Sequence, residues 1–279
     1  MNDGSSTVAA LPPSSQPAGV LGVRDVTVRF GGLTALDAVS LSAGARQVTG
    51  IIGPNGAGKT TLLNVLCGFV KPDAGELSLG GTPLTGLPPH RLASLGIART
   101  LQGVGLFRRL TVLENVMAGA TCRARAGLLS ALFGLPRSDR DERALRERSL
   151  AALDRVGVAD QAGRLPDQLA YGLRKRVALA RALVAEPRVL LLDEPASGLS
   201  EAELPELGDL ITGLAQDACV VVVEHRMDLM MSVCSAIAVL DFGKLIAHGT
   251  PEAVQADPAV TAAYLGAEGS GNGGEPTDG

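Results

Sequence analysis

The sequence contains no tryptophan, and aromatic residues make up only 3% of its 279 residues. A buried core must therefore consist mainly of Leu, Val, Ala and Ile, and the hydrophobic content of 46% is sufficient for one. No apolar run approaches the roughly 18 residues of a membrane helix, and the N-terminus lacks a basic region followed by an apolar stretch. We therefore expect a chain that neither spans a membrane nor is exported.

The sequence also lacks a basic surplus, a Cys-x-x-Cys pair and any internal repeat. Its formal net charge is −4 and its pI is about 5.5, so it has no electrostatic footprint for nucleic acid. The cysteines lie far apart, and we expect them to be reduced and mostly buried in a cytosolic protein. They are Cys67, Cys122, Cys219 and Cys234.

Both ends of the chain have the composition of disordered segments. Residues 1–19 are rich in Ser, Pro, Gly and Ala, and residues 267–279 are Gly-rich and acidic. The sequence therefore predicts one ordered domain over residues 20–266.

The stretch GPNGAGKTT, residues 53–61, contains the complete phosphate-binding pattern G-x-x-x-x-G-K-[ST]. Glycines let backbone N–H groups surround phosphate oxygens, and the helix that follows points its positive end at them. Lys59 adds a charge near the terminal phosphates, and the Thr60 hydroxyl can ligate Mg²⁺. The predicted nucleotide-binding residues of this stretch are Gly53, Pro54, Asn55, Gly56, Ala57, Gly58, Lys59, Thr60 and Thr61.

The surroundings of this motif fit a nucleotide site better than an ordinary Gly-rich turn. A strand is predicted over Val48–Ile52 and a helix over Thr61–Cys67. Alternating stretches near residues 26–30, 35–41 and 76–79 predict short antiparallel strands on both sides of the motif. Phe30, which precedes two glycines, is the natural aromatic to stack on a base, and an ordinary core Phe is the alternative.

Two later apolar runs predict central strands of a parallel sheet, and each is followed by polar residues. Val189–Leu192 leads into Asp193 and Glu194. Asp193 would hold Mg²⁺, and Glu194 would polarise an attacking water. An acidic pair in solvent is the alternative. The run Cys219–Val223 precedes His225, which can hydrogen-bond a γ-phosphate, although a lone His is more often structural.

Residues 89–102 are predicted to pass from a helix into a strand-like run that ends at Gln102, and residues 120–170 are predicted to be mostly helical. A helix begins at Thr111, capped by that hydroxyl with Glu114 three residues later. A surface helix is predicted over residues 139–156, and its arginines indicate a solvated face or, less favoured, an anionic partner.

The order of these motifs resembles that of the ATP-binding cassette (ABC) ATPase family over residues 20–266. The most specific likeness is LAYGLRKRVALARAL, residues 169–183, which resembles the family's signature motif before LLLDEP. The resemblance implies an α/β fold with a P-loop NTPase core and parallel sheet, an antiparallel β-subdomain, and a helical subdomain over about residues 103–172. It also implies ATP, Mg²⁺ and a head-to-tail dimer with a second copy or a paralogue.

Functional residues carry over at matching positions. Gln102 matches the family's glutamine that contacts Mg²⁺ and the attacking water, and His225 matches its switch histidine. The resemblance thus implies the catalytic set Glu194, His225 and Gln102, and the metal set Thr60, Gln102 and Asp193. The signature residues that would close over a partner's ATP are Ala170, Tyr171 and Gly172.

Several shorter features of the sequence resemble those of the ATPase subunit of branched-chain amino-acid importers. They are Tyr171, a helical insert over residues 120–148, and the segments EHRMDLMM, HGTPEAV and DPAVTAAYLG. The likeness implies a cytoplasmic protein on the inner face of the cell membrane. Its membrane permeases would bind the loop Gln102 to Arg109 and the helical subdomain, and no nucleic-acid partner is expected.

The sequence departs from the family pattern at several positions, which include Ala170, where many members have Ser. Leu173 stands where the signature ends in Gln, and Ser200 stands where Asp or Asn is usual. We therefore expect ATP hydrolysis with weakened closure of the dimer. The alternatives are a regulatory or degenerate cassette that binds ATP, and a soluble ABC ATPase that acts on nucleic acid or ribosomes.

Overall fold

The computed structural model describes residues 20–84, 86–100, 103–120 and 136–269. The strands, in chain order, are β1 (Leu21–Phe30), β2 (Leu33–Ala43), β3 (Val48–Ile52), β4 (Ala74–Leu79), β5 (Thr82–Pro83), β6 (Ile97–Arg99), β7 (Val189–Asp193), β8 (Cys219–Val223), β9 (Ala236–Asp241) and β10 (Lys244–Gly249). The α-helices are α1 (Lys59–Leu66), α2 (Val112–Gly119), α3 (Pro136–Arg155), α4 (Tyr171–Leu183), α5 (Leu204–Ala215), α6 (Met227–Val233), α7 (Pro251–Gln255) and α8 (Pro258–Gly269).

The first sheet is antiparallel, with strand order β2-β1-β4-β5, as the stretches around the phosphate motif predict. Strand β1 is longer than predicted, since its pairing with β2 starts at Leu21 and continues to Phe30. The register shifts between Val23 and Val26, where Asp25 has a φ of 49°. Such a bulge interrupts the alternation of apolar and polar residues, so the pattern hides the first half of the strand.

The second sheet has the strand order β10-β9-β3-β8-β7-β6. Its strands are parallel, except that β10 pairs antiparallel with β9 at one edge. The predicted α/β fold with a parallel core sheet is therefore confirmed. Strands β3, β7 and β8 are buried at every residue, as expected of parallel strands covered on both faces.

Alternate residues of the central strands face two hydrophobic clusters. In β7, Leu190 and Leu192 belong to one cluster, while Val189 and Leu191 belong to the other. The first cluster contains apolar residues of α2, α4 and α5, and the second contains those of α1 and the antiparallel sheet. The buried members of both are mainly Leu, Val, Ile and Ala, as the scarcity of aromatic residues predicts.

The helical region begins with the predicted cap. The Thr111 hydroxyl accepts from the Glu114 N–H at 3.3 Å, and the Glu114 carboxylate accepts from the Thr111 N–H at 2.7 Å. In α3 and just after it, Leu153 and Val156 are buried, as predicted for one stripe of a surface helix. Residues 121–135 lie outside the described residues, so this part of the predicted insert stays a prediction.

Residues 89–100 differ from the predicted passage of a helix into a strand. Two short 3₁₀ turns, Pro89–Arg91 and Ala93–Leu95, precede β6. Gly96, with a φ of 75°, ends the second turn and redirects the chain into the sheet. Leu101 and Gln102 lie outside the described residues.

The last helix, α8, ends at Gly269, three residues into the tail predicted from residue 267. Residues 1–19 and 270–279 are not described, and their disorder stays a prediction. Among the residues that the structure covers, no helix is long and apolar enough to cross a membrane.

Candidate nucleotide site

The carboxyl ends of β3, β7 and β8 lie level with one another. Ile51 of β3 and Asp193 of β7 both pair with Val223 of β8, which lies between them. The residues that follow the three strands, starting at Gly53, Glu194 and Glu224, therefore meet at one edge of the sheet. Open parallel sheets bind their ligands at this edge.

The phosphate motif forms a tight loop that only glycine can build at its two fixed glycine positions. Gly53 has a φ of 150°, and a Cβ there would lie 2.1 Å from the carbonyl oxygen of Leu240. Gly58 has a φ of 100°, and its Cβ would lie 2.6 Å from the carbonyl oxygen of Ala35. Helix α1 begins directly afterwards at Lys59, so its N-terminal N–H groups point at the loop.

The Lys59 ammonium is folded back onto the loop that it follows. Nζ donates to the carbonyl oxygen of Gly53 at 2.6 Å and to that of Pro54 at 2.8 Å. Burial lowers the pKa of Lys59, and the negative charge of Glu194 opposes that shift. The cation therefore lies in a weakly solvated position where phosphate oxygens can replace the carbonyl groups as acceptors.

The outer part of the loop is open to solvent. Asn55, Gly56 and Thr60 are exposed, whereas Ala57 is buried and anchors the loop through its carbonyl group. That carbonyl accepts the N–H of Gly243 at 3.0 Å. The remaining predicted contacts, Pro54, Gly58 and Thr61, are half-buried.

Asp193 is the buried member of the acidic pair. Its side chain is 4% exposed, and Oδ2 accepts from Arg99 Nη2 at 2.8 Å. The other nitrogen of the guanidinium, Nη1, donates to Asn64 Oδ1 at 2.8 Å. The alternative of an acidic pair in solvent is thus wrong for Asp193, which needs a cation at its side.

Glu194 is half-buried and has an unusual backbone. Its φ of 47° lies in the left-handed region, and its N–H donates to the carbonyl oxygen of Val223 at 2.9 Å. The carboxylate lies close enough to the Lys59 ammonium to affect its pKa. The structure therefore brings the predicted base and the predicted phosphate-binding cation into one site.

The next strand end contains a fully buried carboxylate. Glu224 is 0% exposed and accepts from the N–H of Ala196 at 2.6 Å and from the N–H of His225 at 3.0 Å. His225 itself is at the surface, with its side chain 56% exposed and Nδ1 3.6 Å from Glu224 Oε2. Its imidazole is therefore accessible to a ligand at the sheet edge.

Phe30 lies at the end of β1 and is 53% exposed. Leu33, its partner across the hairpin, is 67% exposed. The core alternative for Phe30 is therefore wrong, because half of the ring is in solvent. An exposed aromatic surface is what stacking on a base requires.

The signature segment forms the start of α4. Ala170 is the N-cap, Tyr171 is the first helical residue, and Gly172 follows half-buried. Tyr171 is 38% exposed and packs against Gly198, where a Cβ would lie 2.7 Å from the ring. Leu173 is half-buried against the hydrophobic core.

The donor set of the site fits Mg²⁺. The Thr60 hydroxyl and the Asp193 carboxylate supply oxygen donors, and Mg²⁺ takes only one or two carboxylates together with water and substrate phosphates. In the described part of the chain, no group of three or more His, Cys, Asp or Glu forms a self-contained metal site. Gln102, the third predicted ligand, lies outside that part.

Three charged residues of the site escape sequence reasoning. Arg99 pairs with Asp193, Glu224 links two loops, and Lys175 of α4 contacts the carbonyl groups of Glu194 and Pro195. In the sequence, each of these residues is only a charge in or beside an apolar stretch. Such a position indicates that the charge is buried, but it does not show which distant residue the charge contacts.

Comparisons with known proteins give one consistent result. A family model described as ABC transporter matches residues 36–197, and one described as branched-chain amino acid ATP-binding cassette transporter matches residues 244–270. The high-affinity branched-chain amino acid transport ATP-binding protein LivG of Salmonella typhimurium is 41% identical over 254 residues, which cover 90% of this chain and 99% of LivG.

Solved structures agree with this result. The ADP conformation of MJ1267, an ATP-binding cassette of an ABC transporter, has a TM-score of 0.77 and 31% identity, covering 88% of this chain and 98% of that one. The dimeric bacterial ABC transporter cassette MJ0796 has a TM-score of 0.69 and 26% identity, covering 83% of this chain and 98% of that one. With the phosphate loop and the level strand ends in place, this chain belongs to the ABC transporter family and is its ATP-hydrolysing cassette.

Proposed function

We propose that this chain hydrolyses ATP to power the import of branched-chain or closely related amino acids through partner permeases. The observation that carries the proposal is the similarity to LivG along almost the full length of both chains, which includes the C-terminal segment. That segment lies beyond the catalytic strands, so its likeness is not a consequence of ATP chemistry alone.

In the proposed reaction, the phosphate loop and the N-terminus of α1 bind the phosphates of ATP. Phe30 stacks on the base, and Lys59 moves its hydrogen bonds from the loop carbonyls to phosphate oxygens. Glu194 accepts a proton from the water that attacks the γ-phosphorus, while His225 donates a hydrogen bond to the phosphoryl group. The bond between the γ-phosphorus and the oxygen that bridges it to the β-phosphate breaks, and ADP and inorganic phosphate are released.

Thr60, Asp193 and Gln102 would hold Mg²⁺, which would neutralise charge on the phosphates. Arg99 holds the Asp193 carboxylate in place through their ion pair. The buried Glu224 ties the chain after Glu194 to His225, which gives the two catalytic groups a fixed relative position.

A second ATPase subunit, either a copy or a paralogue, would complete each site. The exposed start of α4 presents backbone N–H groups to an anion, and Ala170, Tyr171 and Gly172 would bind the γ-phosphate of the partner's ATP. Closure would then depend on ATP. Leu173 faces the core of its own subunit, so it contributes little to this contact.

The permease would bind the loop that ends at Arg109 and the helices beside it. Asn115, 0% exposed, holds this loop by accepting the Phe107 N–H at 2.7 Å and donating to the Phe107 and Leu110 carbonyls. Phe107 is 55% exposed at the tip. A supported loop with an exposed aromatic suits contact with a membrane protein on the cytoplasmic side.

Transport in proteoliposomes tests the proposal. The chain is co-purified with its partner permeases and reconstituted with the matching external binding protein. We expect ATP-dependent uptake of labelled leucine, isoleucine or valine, abolished by Glu194→Gln. ATP hydrolysis without uptake of any of the three would contradict the proposed cargo, and ATP-dependent release would contradict the direction.

A further inference from the structure

Glu194 is held in a backbone conformation that a glutamate rarely adopts. Its φ of 47° lies in the left-handed region, where the side chain of an L-residue crowds the backbone. Such strain persists only where surrounding contacts enforce it. The contacts of this turn therefore determine where the Glu194 carboxylate points.

Lys175 supplies two of these contacts from a different element. It lies on α4, one turn after the signature residues, and its Nζ donates to the carbonyl oxygen of Glu194 at 3.0 Å and to that of Pro195 at 2.9 Å. Burial lowers the pKa of Lys175, and the negative charges of Glu224 and Glu194 partly oppose that shift. Hydrogen bonds from a charged donor in such a position are strong.

Glu224 holds the same turn from the other side. Its carboxylate accepts the N–H of Ala196 at 2.6 Å, while Lys175 binds the two carbonyl groups just before that N–H. A cation and an anion from separate elements thus fix two consecutive peptide groups, Glu194–Pro195 and Pro195–Ala196. The N–H of Glu194 is fixed as well, because it donates to Val223 at 2.9 Å.

We propose that Lys175 is a positioning residue for the catalytic carboxylate, and that it couples the signature segment to the hydrolytic site of the same subunit. The inference rests on the proposed role of Glu194 as the base. Lys175 and Tyr171 are neighbours on α4, with the ammonium 5.5 Å from the centre of the Tyr171 ring. That ring also packs on Gly198 of the loop after the base.

The coupling has a direction. When the start of α4 closes on a partner's ATP, Lys175 moves with the helix and pulls on the carbonyl groups of Glu194 and Pro195. One subunit would thereby orient its own base in response to the nucleotide bound by the other. Without the Lys175 ammonium, the turn can relax toward an ordinary backbone conformation, and the Glu194 carboxylate no longer points at the attacking water.

Steady-state ATPase kinetics of Lys175→Met, Lys175→Gln, Lys175→Arg and Arg176→Met test the inference. Arg176 is the matched control, since it is the next cation of α4 and contacts Glu206 and the Val156 carbonyl instead. Misplacing a catalytic group by an ångström costs up to about 100-fold, so we expect Lys175→Met to lower kcat about 10- to 100-fold. The KM for ATP and the binding of a fluorescent ATP analogue should stay within about twofold of the wild type, because ground-state binding does not use the turn.

Lys175→Arg should recover most of kcat, because its guanidinium can reach both carbonyl groups, and Arg176→Met should leave kcat unchanged. If Lys175→Met does not bind the analogue, the Arg and Gln variants decide the matter, with Gln expected to fall well below Arg. Equal kcat in wild type and Lys175→Met, or equal losses in the Lys175 and Arg176 variants, would overturn the inference. Glu194→Gln is measured alongside, and if it remains active the proposed base fails whatever Lys175 does.

Discussion

Arg99 and Asp193 form an ion pair with an Nη2–Oδ2 distance of 2.8 Å, and their side chains are 12% and 4% exposed. They lie on neighbouring strands, since Arg99 ends β6 and pairs with Leu191 of β7. The carboxylate predicted to bind the metal is thus paired with one arginine inside the protein. Removing either partner leaves an unpaired charge in a poorly solvated position.

We therefore expect Arg99→Met to reduce the free energy of unfolding by about 3 to 5 kcal/mol, because Asp193 stays buried without its cation. Urea denaturation at neutral pH measures the change. Arg155→Met is the control, since Arg155 pairs with Asp217 at the surface and exposed pairs contribute about 0 to 1 kcal/mol. Equal losses in the two variants would contradict the account of the buried pair.

Lys59→Met should weaken ATP binding without destabilising the nucleotide-free protein. A hydrogen bond to a charged group contributes about 1.5 to 3 kcal/mol, which corresponds to an increase in Kd of about 10- to 150-fold. Met avoids the cost of burying an ammonium, so the free energy of unfolding should not fall by much. Titration with a fluorescent ATP analogue and urea denaturation check both parts. Lys71→Met is the control, because Lys71 is exposed. An equal loss of ATP affinity in the Lys71 variant would refute a specific role for Lys59.

The buried thiols should be unreactive in the native protein. Burial raises the pKa of Cys67 to about 11, and that of Cys219 and Cys234 to about 12. The reactive thiolate is therefore scarce at pH 8. In a Cys122→Ser background, a thiol reagent should label the protein only after unfolding in urea. Rapid labelling of the native protein would contradict the buried positions of these cysteines.

The bounds of the central strands could be predicted from the sequence to within about one residue. Val48–Ile52 and Cys219–Val223 have the predicted bounds because continuous apolar runs are the signature of strands buried on both faces. The first half of β1 was hidden by the bulge at Asp25. A helix was predicted after Pro89, where the structure has two 3₁₀ turns. So short a stretch of sequence does not distinguish 3₁₀ from α geometry.

The site could be predicted in part for a related reason. Gly53, Lys59, Asp193 and Glu194 belong to local patterns, and a local pattern is visible in one sequence. The partners of these residues are distant in the chain, as with Arg99 and Asp193, and they meet only because β6 lies beside β7. Strand order is a property of the fold, so a lone charge in an apolar stretch does not reveal its partner.

Leu173→Gln should increase the ATP-dependent dimer population. Leu173 packs partly on its own core, whereas a glutamine amide could reach the nucleotide of the partner subunit. One added hydrogen bond of about 1 kcal/mol would strengthen dimerisation about fivefold. Light scattering with ATP, in a Glu194→Gln background that blocks hydrolysis, measures the population. A decrease would refute the idea that this position weakens closure.

Glu194 is the proposed base of the ATP site. The most direct test of that role is a paired measurement on Glu194→Gln, in which ATP turnover and ATP affinity are determined on the same preparation. A positioned base accelerates the reaction about 10²- to 10⁴-fold. We therefore expect the rate of ATP turnover to fall at least about 10²-fold, while the affinity for ATP stays close to that of the wild type. Turnover near the wild-type rate would contradict the account.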